Sequence, residues 1–425
     1  MVRILPLIVL LCLTCYAASS QRECVSHEYL QQEIKRDPKL AQRIAEIESF
    51  SSNVLNKEIR NSINSGDGGS IPVIKIPVVV HILYYKTEHN ISEAQVKSQI
   101  EALNNDFRRT NLDASHTPLV FQEFAADCTI EFELANIDPK GRPTSGIIRK
   151  QTGVAAFGSD DRIKFSSQGG DDAWDSDKYL NIWVGNTSGG LIGYSSVVGI
   201  SKLKDGIVIR NTAFGTTGIA VAPFNKGRTA THEIGHWLGL RHIWGDQYCG
   251  NDWVDDTPPQ KMASQGCPSG TVVSCSNEGS GGNMYMNYMD LTSDECMNMF
   301  TVGQREKMRS LFQPGGPRNA LLSSNGCSGE AIPDQAPVSN DSTITHIKAY
   351  PNPAFQTITI DLGADETLIG KTISLYNHLG QRLSQTLIRG TLVQLTVTNL
   401  KEGFYFVRID GRKETVKIIK GGARQ

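Results

Sequence analysis

The most informative stretch of the sequence about the fold is THEIGHWLGLRHIWGD (231–246). His232 and His236 are four residues apart, so on a helix both imidazoles project from one face and can meet a single ion. Gly239 permits the backbone to leave the helix in a conformation that other residues resist. That turn would bring His242 back toward the same ion. The stretch therefore predicts a metal site with three histidine ligands.

Three neutral imidazoles leave a fourth position open, which is typical of catalytic rather than structural zinc. Zinc lowers the pKa of a bound water to about 7, and Glu233 directly follows the first ligand, where it can take that proton. Downstream, MNYMDLTSDECMNMF (286–300) offers Met289 for the tight turn that such sites carry beneath the metal. The alternative interpretation is an ordinary amphipathic helix with satisfied histidines and a methionine that fills the core.

The N-terminus predicts export from the cell. Residues 1–20 combine Arg3, an apolar run and small residues suited to cleavage, as in a signal peptide. A membrane anchor is disfavoured, because neither this run nor a later segment reaches the roughly 20 apolar residues of a spanning helix. The formal net charge of −2 gives no indication of a nucleic-acid-binding face. We therefore expect a secreted, extracellular protein, either released or held at the cell surface, with no transmembrane segment in its mature form.

A length of 425 residues suggests two or three domains. Strand-like and helix-like runs alternate in the middle of the chain, and short alternating strands fill its end, so we expect a mixed α/β (α+β) catalytic domain followed by a small β-sandwich. The predicted boundaries are a signal peptide at 1–20, a pro-segment at 21–60, the catalytic domain at 61–322, a linker at 323–345 and the β-sandwich at 346–425.

Four cysteines lie close together, at Cys249, Cys267, Cys275 and Cys296. In an exported protein such a cluster indicates two disulfides. Four cysteines allow three pairings, and their pattern alone does not choose among them.

The chain resembles the pappalysin family of metzincins, and its cytophagalysin or ulilysin-like bacterial branch most closely. The likeness covers residues 24–322 and implies a zinc-dependent endopeptidase that acts on proteins and peptides, with Glu233 as general base and acid and Met289 in the Met-turn. It rests on IPVVVHILYY (76–85), DAWDSDKYLNIWVGN (172–186), GGLIGYSS (189–196), FNKGRTATHEIGHWLGLRHIWGD (224–246), DWVDDTPPQ (252–260), and NYMD (287–290) followed by CMNMFTVGQREKM (296–308).

The resemblance also implies how substrates bind. A substrate strand would pair with the rim stretch 189–196 through its backbone groups, which makes Gly190, Leu191 and Gly193 candidate substrate-binding residues. Relatives prefer a basic residue just after the scissile bond, met by an acid that follows the Met-turn. Glu295 is expected at that place, so cleavage before Arg or Lys is predicted.

Further features are implied by the same family. The disulfides would join Cys249 with Cys275 and Cys267 with Cys296, and a structural Ca²⁺ would be held near the first pair. Cys24, early in the pro-segment, would bind the zinc in the latent zymogen, and Arg60-Asn61 is a candidate activation cut. The alternative to the calcium site is a solvated acidic loop, and the alternative for Cys24 is a stray or bridged thiol. The expected calcium ligands are Asp252, Asp255, Asp256 and Thr257.

One position departs from the family pattern. Many metzincins carry Tyr two residues beyond the Met, where its hydroxyl can steady the tetrahedral intermediate, and this chain has Leu291 there. Two other hypotheses therefore stay open. One is a secreted adhesin or binding protein whose metal site has lost function, although the intact Glu233 counts against it. The other is a different zinc hydrolase such as an amidase, which the third histidine disfavours.

The end of the chain resembles the sorting domain of the type IX secretion route of certain Gram-negative bacteria. This implies that the secretion machinery is a partner. A carbohydrate-binding or protein-binding module is the alternative. The resemblance rests on AYPNPAFQTITID (349–361), SLYNHLGQRL (374–383) and GFYFVRIDGRKETVKIIK (403–420).

Overall fold

The chain divides into two compact units, Met1–Pro333 and Asp334–Gln425. The expected signal peptide and most of the expected linker lie outside the described residues. Among the described helices, none has both the length and the apolar character that crossing a membrane requires. The structure is a computed structural model that describes residues 22, 24–65, 71–328, 348–362, 368–377, 381–410 and 415–421.

The pro-segment forms two helices, α1 (Ser26–Arg36) and α2 (Lys39–Ser65). Helix α1 has an acidic residue in its first turn and basic residues in its last turn, which complements the helix dipole. It ends before Asp37-Pro38, because the residue preceding a proline is disfavoured in helical conformation. Helix α2 continues past the expected end of the pro-segment at residue 60.

A six-stranded sheet forms the centre of the first unit. Its strand order is β2-β1-β4-β6-β5, with β3 also paired to β1, and every pairing is parallel except that of β5 with β6. Near-continuous apolar runs such as IKIPVVVHILY in β1 suit a sheet covered on both faces. The strands are β1 (Ile74–Tyr84), β2 (Ile130–Leu134), β3 (Ile147–Gln151), β4 (Leu180–Gly185), β5 (Gly193–Ser195) and β6 (Ile207–Arg210).

Helices pack against this sheet. Helix α3 (Glu93–Phe107) begins after Ser92, whose side chain accepts a hydrogen bond from the Gln95 N–H as an N-cap. The active-site helix α5 (Arg228–Trp237) is buried along its whole length and shares the main apolar core with α3. The other α-helices of the described residues are the single turn α4 (Leu119–Gln122) and α6 (Val302–Ser310), the second begun by a capping box of Thr301 and Gln304.

The second unit consists of two antiparallel sheets, one of four strands in the order β10-β9-β12-β13 and one of three in the order β11-β8-β7. Apolar residues of both sheets meet in one core cluster, which makes the unit a small β-sandwich as expected. Its strands are β7 (Lys348–Tyr350), β8 (Thr357–Asp361), β9 (Thr372–Tyr376), β10 (Arg382–Leu387), β11 (Leu392–Thr396), β12 (Gly403–Ile409) and β13 (Thr415–Lys420).

Candidate active site

Three histidine side chains meet at the end of α5. His232 and His236 lie one turn apart on the helix, and Gly239, with φ +84°, turns the chain so that His242 comes back toward them. The Nε2 atom of His236 lies 3.2 Å from the Nε2 atoms of both His232 and His242. The Cys24 Sγ of the pro-segment lies 3.6 Å from the same His236 atom. The four side chains are buried and form one group of potential metal ligands.

The outer nitrogens of His232 and His236 show which atoms of these two rings face the site. The Nδ1 atoms of His232 and His236 lie 2.7 Å and 3.0 Å from the backbone carbonyls of Tyr288 and Leu240. A carbonyl only accepts hydrogen bonds, so each Nδ1 carries the proton and each Nε2 presents a lone pair inward. Burial also lowers the pKa of His236 to about 3, which keeps this ring neutral. The donor set of neutral imidazoles, with Cys24 as a fourth, fits zinc.

Met289 lies directly beneath the helix. It is fully buried, and its Sδ comes so close to Gly235 that a Cβ added there would lie 2.4 Å from it. Glycine at this position therefore permits the close approach of the turn to α5. Leu291, which follows in the same segment, is buried as well.

Glu233 lies beside the histidines and is almost fully buried. Its Oε2 accepts a hydrogen bond of 2.9 Å from the Ser26 hydroxyl of the pro-segment. Burial raises the pKa of this carboxyl to about 7. The same Ser26 hydroxyl accepts a 2.9 Å hydrogen bond from the Ser195 N–H of β5, so one pro-segment side chain joins the carboxylate to the rim strand.

The pro-segment runs along the edge of the sheet. Cys24 forms a parallel β-bridge with Gly193, the first residue of β5, so it occupies backbone groups of the rim. Of the other expected rim residues, Leu191 is buried and Gly190 is exposed. Burial, with the nearby Glu233 carboxylate, raises the pKa of the Cys24 thiol well above its ordinary value.

Two neighbouring acids follow the Met-turn, and they lie in different environments. Glu295 is exposed, whereas its neighbour Asp294 is buried and forms an ion pair with Arg22 of the pro-segment. The Asp294 carboxylate also accepts hydrogen bonds from the backbone N–H groups of Lys226 and Arg228, at the start of α5. Of the two acids, Asp294 is therefore the one buried against Arg22.

Arg22 itself is enclosed on several sides. Its Nε donates to the Thr292 carbonyl at 3.1 Å and its Nη1 to the Thr229 hydroxyl at 3.3 Å, while the guanidinium lies 5.1 Å from the Phe224 ring centre. Neither Arg22 nor Asp294 was predicted from the sequence. Their only signals were a basic residue two positions before Cys24 and a second acid directly before Glu295.

The cysteine cluster forms two disulfides, Cys249–Cys275 and Cys267–Cys296, which are the pairs that the resemblance implied. The neighbouring acidic residues do not share one environment. The Asp252 carboxylate is buried, and its two oxygens lie 3.0 Å and 2.9 Å from the Thr257 hydroxyl oxygen. Asp256 accepts a 2.7 Å bond from the Gly303 N–H, and its other oxygen is buried with no hydrogen-bond partner among the described residues. Asp255 is exposed.

Comparisons with known proteins agree with this geometry. The family model described as Peptidase_M43, pregnancy-associated plasma protein-A, matches residues 164–313, and the secretion system C-terminal sorting domain matches residues 348–421. An extracellular metalloprotease of Arthroderma gypseum is 30% identical over 275 residues, which cover 62% of this chain and 80% of the relative. Extracellular metalloprotease 1 of Coccidioides posadasii is 39% identical over 141 residues, 32% of this chain and about half, 49%, of that relative.

Solved structures are similar as well. Mature mirolysin of Tannerella forsythia, in complex with a cleaved peptide, is 47% identical with a TM-score of 0.58, and the match covers 60% of this chain and 97% of that one. A promirolysin mutant from the same organism is 43% identical with a TM-score of 0.62, covering 71% and 97%. With the histidine cluster described above, these similarities show that the chain belongs to the pappalysin (M43) family of extracellular zinc metalloproteases.

Proposed function

We propose that this chain is made as a latent zymogen and, once activated, hydrolyses internal peptide bonds of proteins outside the cell. One observation carries the proposal: three inward-facing imidazole nitrogens and the Glu233 carboxylate surround one point beside an edge strand. The Arthroderma relative is an extracellular metalloprotease and the mirolysin structure is a complex with a cleaved peptide, and both agree with this activity.

The residues of the chain would have distinct roles in catalysis. His232, His236 and His242 would hold zinc, which when bound polarises the scissile carbonyl and acidifies water. Glu233 would accept a proton from the attacking water and pass it to the leaving amine. With Leu291 at the usual tyrosine position, no phenol from that residue assists the developing oxyanion.

Substrates would bind along the rim strand β5. This strand is at the edge of the sheet, and its Gly193 backbone is paired by Cys24 in the zymogen. An extended substrate could use the same backbone groups once the pro-segment has left. Asp294, which binds the Arg22 guanidinium, would then receive a basic side chain just after the scissile bond.

The proposed activity is tested with casein and gelatin, using zinc-loaded protein from which the pro-segment has been removed. We expect hydrolysis of both proteins and its loss in a Glu233→Ala variant. If the unsubstituted protein cuts neither these nor a broad set of other proteins, the proposal of an endopeptidase is wrong.

Latency would depend on Cys24, whose Sγ lies among the zinc ligands. We expect Cys24→Ala to hasten autoactivation of the full-length protein, because the thiol no longer competes with water for the metal. The appearance of the mature form is followed by gel electrophoresis and by mass spectrometry of the new N-terminus. Cys327→Ala is a matched control, since Cys327 is a free cysteine in a different part of the unit. Equal activation rates for the two variants and the unsubstituted protein would refute a thiol switch.

Calcium would bind at the loop of Asp252, Asp255, Asp256 and Thr257. The buried Asp256 oxygen without a described hydrogen-bond partner supports this, as does the nearby buried Asp252 carboxylate, because hard oxygen ligands suit Ca²⁺. Among the four expected calcium ligands, Asp255 has the least support, because it is exposed.

We expect a calcium-selective chelator to lower the melting temperature of the protein by several degrees, since a bound ion stabilises only the folded state. The shift is measured by differential scanning calorimetry, with Mg²⁺ addition as the control for ionic strength. A melting curve that the chelator leaves unmoved would remove calcium from the proposal.

The C-terminal unit would direct the chain to the secretion machinery. Its match to the sorting-domain model and its own apolar core support a targeting signal that is recognised separately from the catalytic unit.

A further inference from the structure

The three zinc-binding histidines are positioned by different means. His232 and His236 lie on the rigid, fully buried helix α5, so the helix fixes their spacing. His242 lies beyond the Gly239 turn, in a segment without regular structure. Its ring orientation must therefore come from contacts made by the chain around it.

Two such contacts come from the next few residues. The Trp244 ring stacks on the His242 ring, with 4.2 Å between centres and 9° between planes. The Asp246 carboxylate Oδ1 lies 2.5 Å from the His242 Nδ1, while the outer nitrogens of the other two histidines meet backbone carbonyls. Asp246 is thus the one carboxylate that contacts a ligand ring in this part of the described site.

The Asp246 carboxylate reaches His242 through an unfavourable backbone conformation. Gly245 and Asp246 both have left-handed conformations, with φ of +64° and +58°. Aspartate is one of the few residues that tolerate this region, and non-glycine residues held there cluster at functional sites. The reversal returns the Asp246 side chain to the ring four residues earlier.

The second carboxylate oxygen faces the pro-segment. Asp246 Oδ2 lies 3.4 Å from the His27 Nδ1, and the Asp246 side chain is only 14% exposed. Departure of the pro-segment would remove the contact with His27, so the bond to His242 is the one that stays with the catalytic unit.

We propose that Asp246 is a positioning residue for the zinc site. Its carboxylate accepts a hydrogen bond from the Nδ1–H of His242, which keeps the Nε2 lone pair free to bind the metal and fixes the ring in the orientation that completes the three-histidine set. This inference rests on the zinc site of the proposed function. Carboxylate partners of this kind typically change metal affinity by about 10- to 100-fold.

The test measures zinc affinity in the full-length chain, in a Glu233→Ala background that prevents self-cleavage, by competition with a chromophoric chelator. We expect Asp246→Ala to weaken zinc binding about 10- to 100-fold. Asp246→Asn should weaken it less, since the amide oxygen still accepts the Nδ1 hydrogen bond. Glu278→Ala removes an exposed carboxylate elsewhere in the same unit and should leave the affinity unchanged.

The melting temperature of the metal-free variants separates positioning from a simple role in the turn. Loss of affinity in a variant that melts like the Glu278→Ala control supports the proposal. Asp246→Ala and Asp246→Asn proteins that bind zinc as tightly as the control overturn it and leave the proposed function intact. An unsubstituted site that binds no zinc in the folded protein would refute both.

Discussion

Replacement of Glu233 by alanine is expected to abolish nearly all hydrolysis of casein by the mature enzyme while the fold and the metal site remain. The carboxylate lies beside the three histidines, and in the zymogen the Ser26 hydroxyl bonds to it. Removal of a general base typically costs about 10² to 10⁴ in rate. The truncated side chain leaves the three Nε2 atoms and their outer hydrogen bonds untouched. The initial rate of casein hydrolysis gives the size of the loss.

Two controls make this result specific. Zinc content, measured by elemental analysis, should be equal in the Glu233→Ala and unsubstituted proteins, because Glu233 is not one of the proposed ligands. Glu233→Asp keeps the acid but withdraws it by one methylene group, so it should retain more activity than the alanine variant. A Glu233→Ala enzyme that contains full zinc and keeps more than about a tenth of the rate would show that another group handles the proton.

The parts of the site that the sequence predicted are those set by local periodicity. The four-residue spacing of His232 and His236 determines their common face whatever surrounds the helix. Gly239 marks the end of the helix for a similarly local reason, because glycine readily adopts the positive φ, here +84°, that ends a helix. The helix after Ser92 and the long buried strand β1 were predictable because the N-cap and the apolar run are contained in the segment itself.

The parts that were missed depend on contacts between distant residues. Arg22 and Asp294 meet across 272 positions, and no pattern near either residue reports the other. The choice between Asp294 and Glu295 depends on how the segment after the Met-turn folds against the start of α5. There, two backbone N–H groups draw the Asp294 carboxylate inward while Glu295 stays exposed. Asp246 was missed for a different reason, since it lies only four residues after His242. Its contact with that ring depends on left-handed backbone conformations at both Gly245 and Asp246.

Substitution of Asp294 by asparagine should selectively slow cleavage before arginine. The buried Asp294 carboxylate pairs with the Arg22 guanidinium, and the Thr292 carbonyl and Thr229 hydroxyl receive its other donors. A substrate arginine in this place would lose its charge partner, and hydrogen bonds to charged groups contribute about 1.5–3 kcal/mol, or roughly 10- to 150-fold. Asparagine keeps an oxygen to accept the N–H groups of Lys226 and Arg228, so the start of α5 should stay intact.

The measurement compares kcat/KM for two peptides that differ only in arginine or citrulline after the scissile bond, because citrulline keeps the shape and loses the charge. The unsubstituted enzyme should prefer arginine, and Asp294→Asn should lose most of that preference while cutting the citrulline peptide nearly as before. Glu295→Gln is the matched control, since it removes the neighbouring but exposed carboxylate. If Glu295→Gln loses the preference and Asp294→Asn keeps it, the acid of the cleft is Glu295, and the contact between Asp294 and Arg22 serves the zymogen alone.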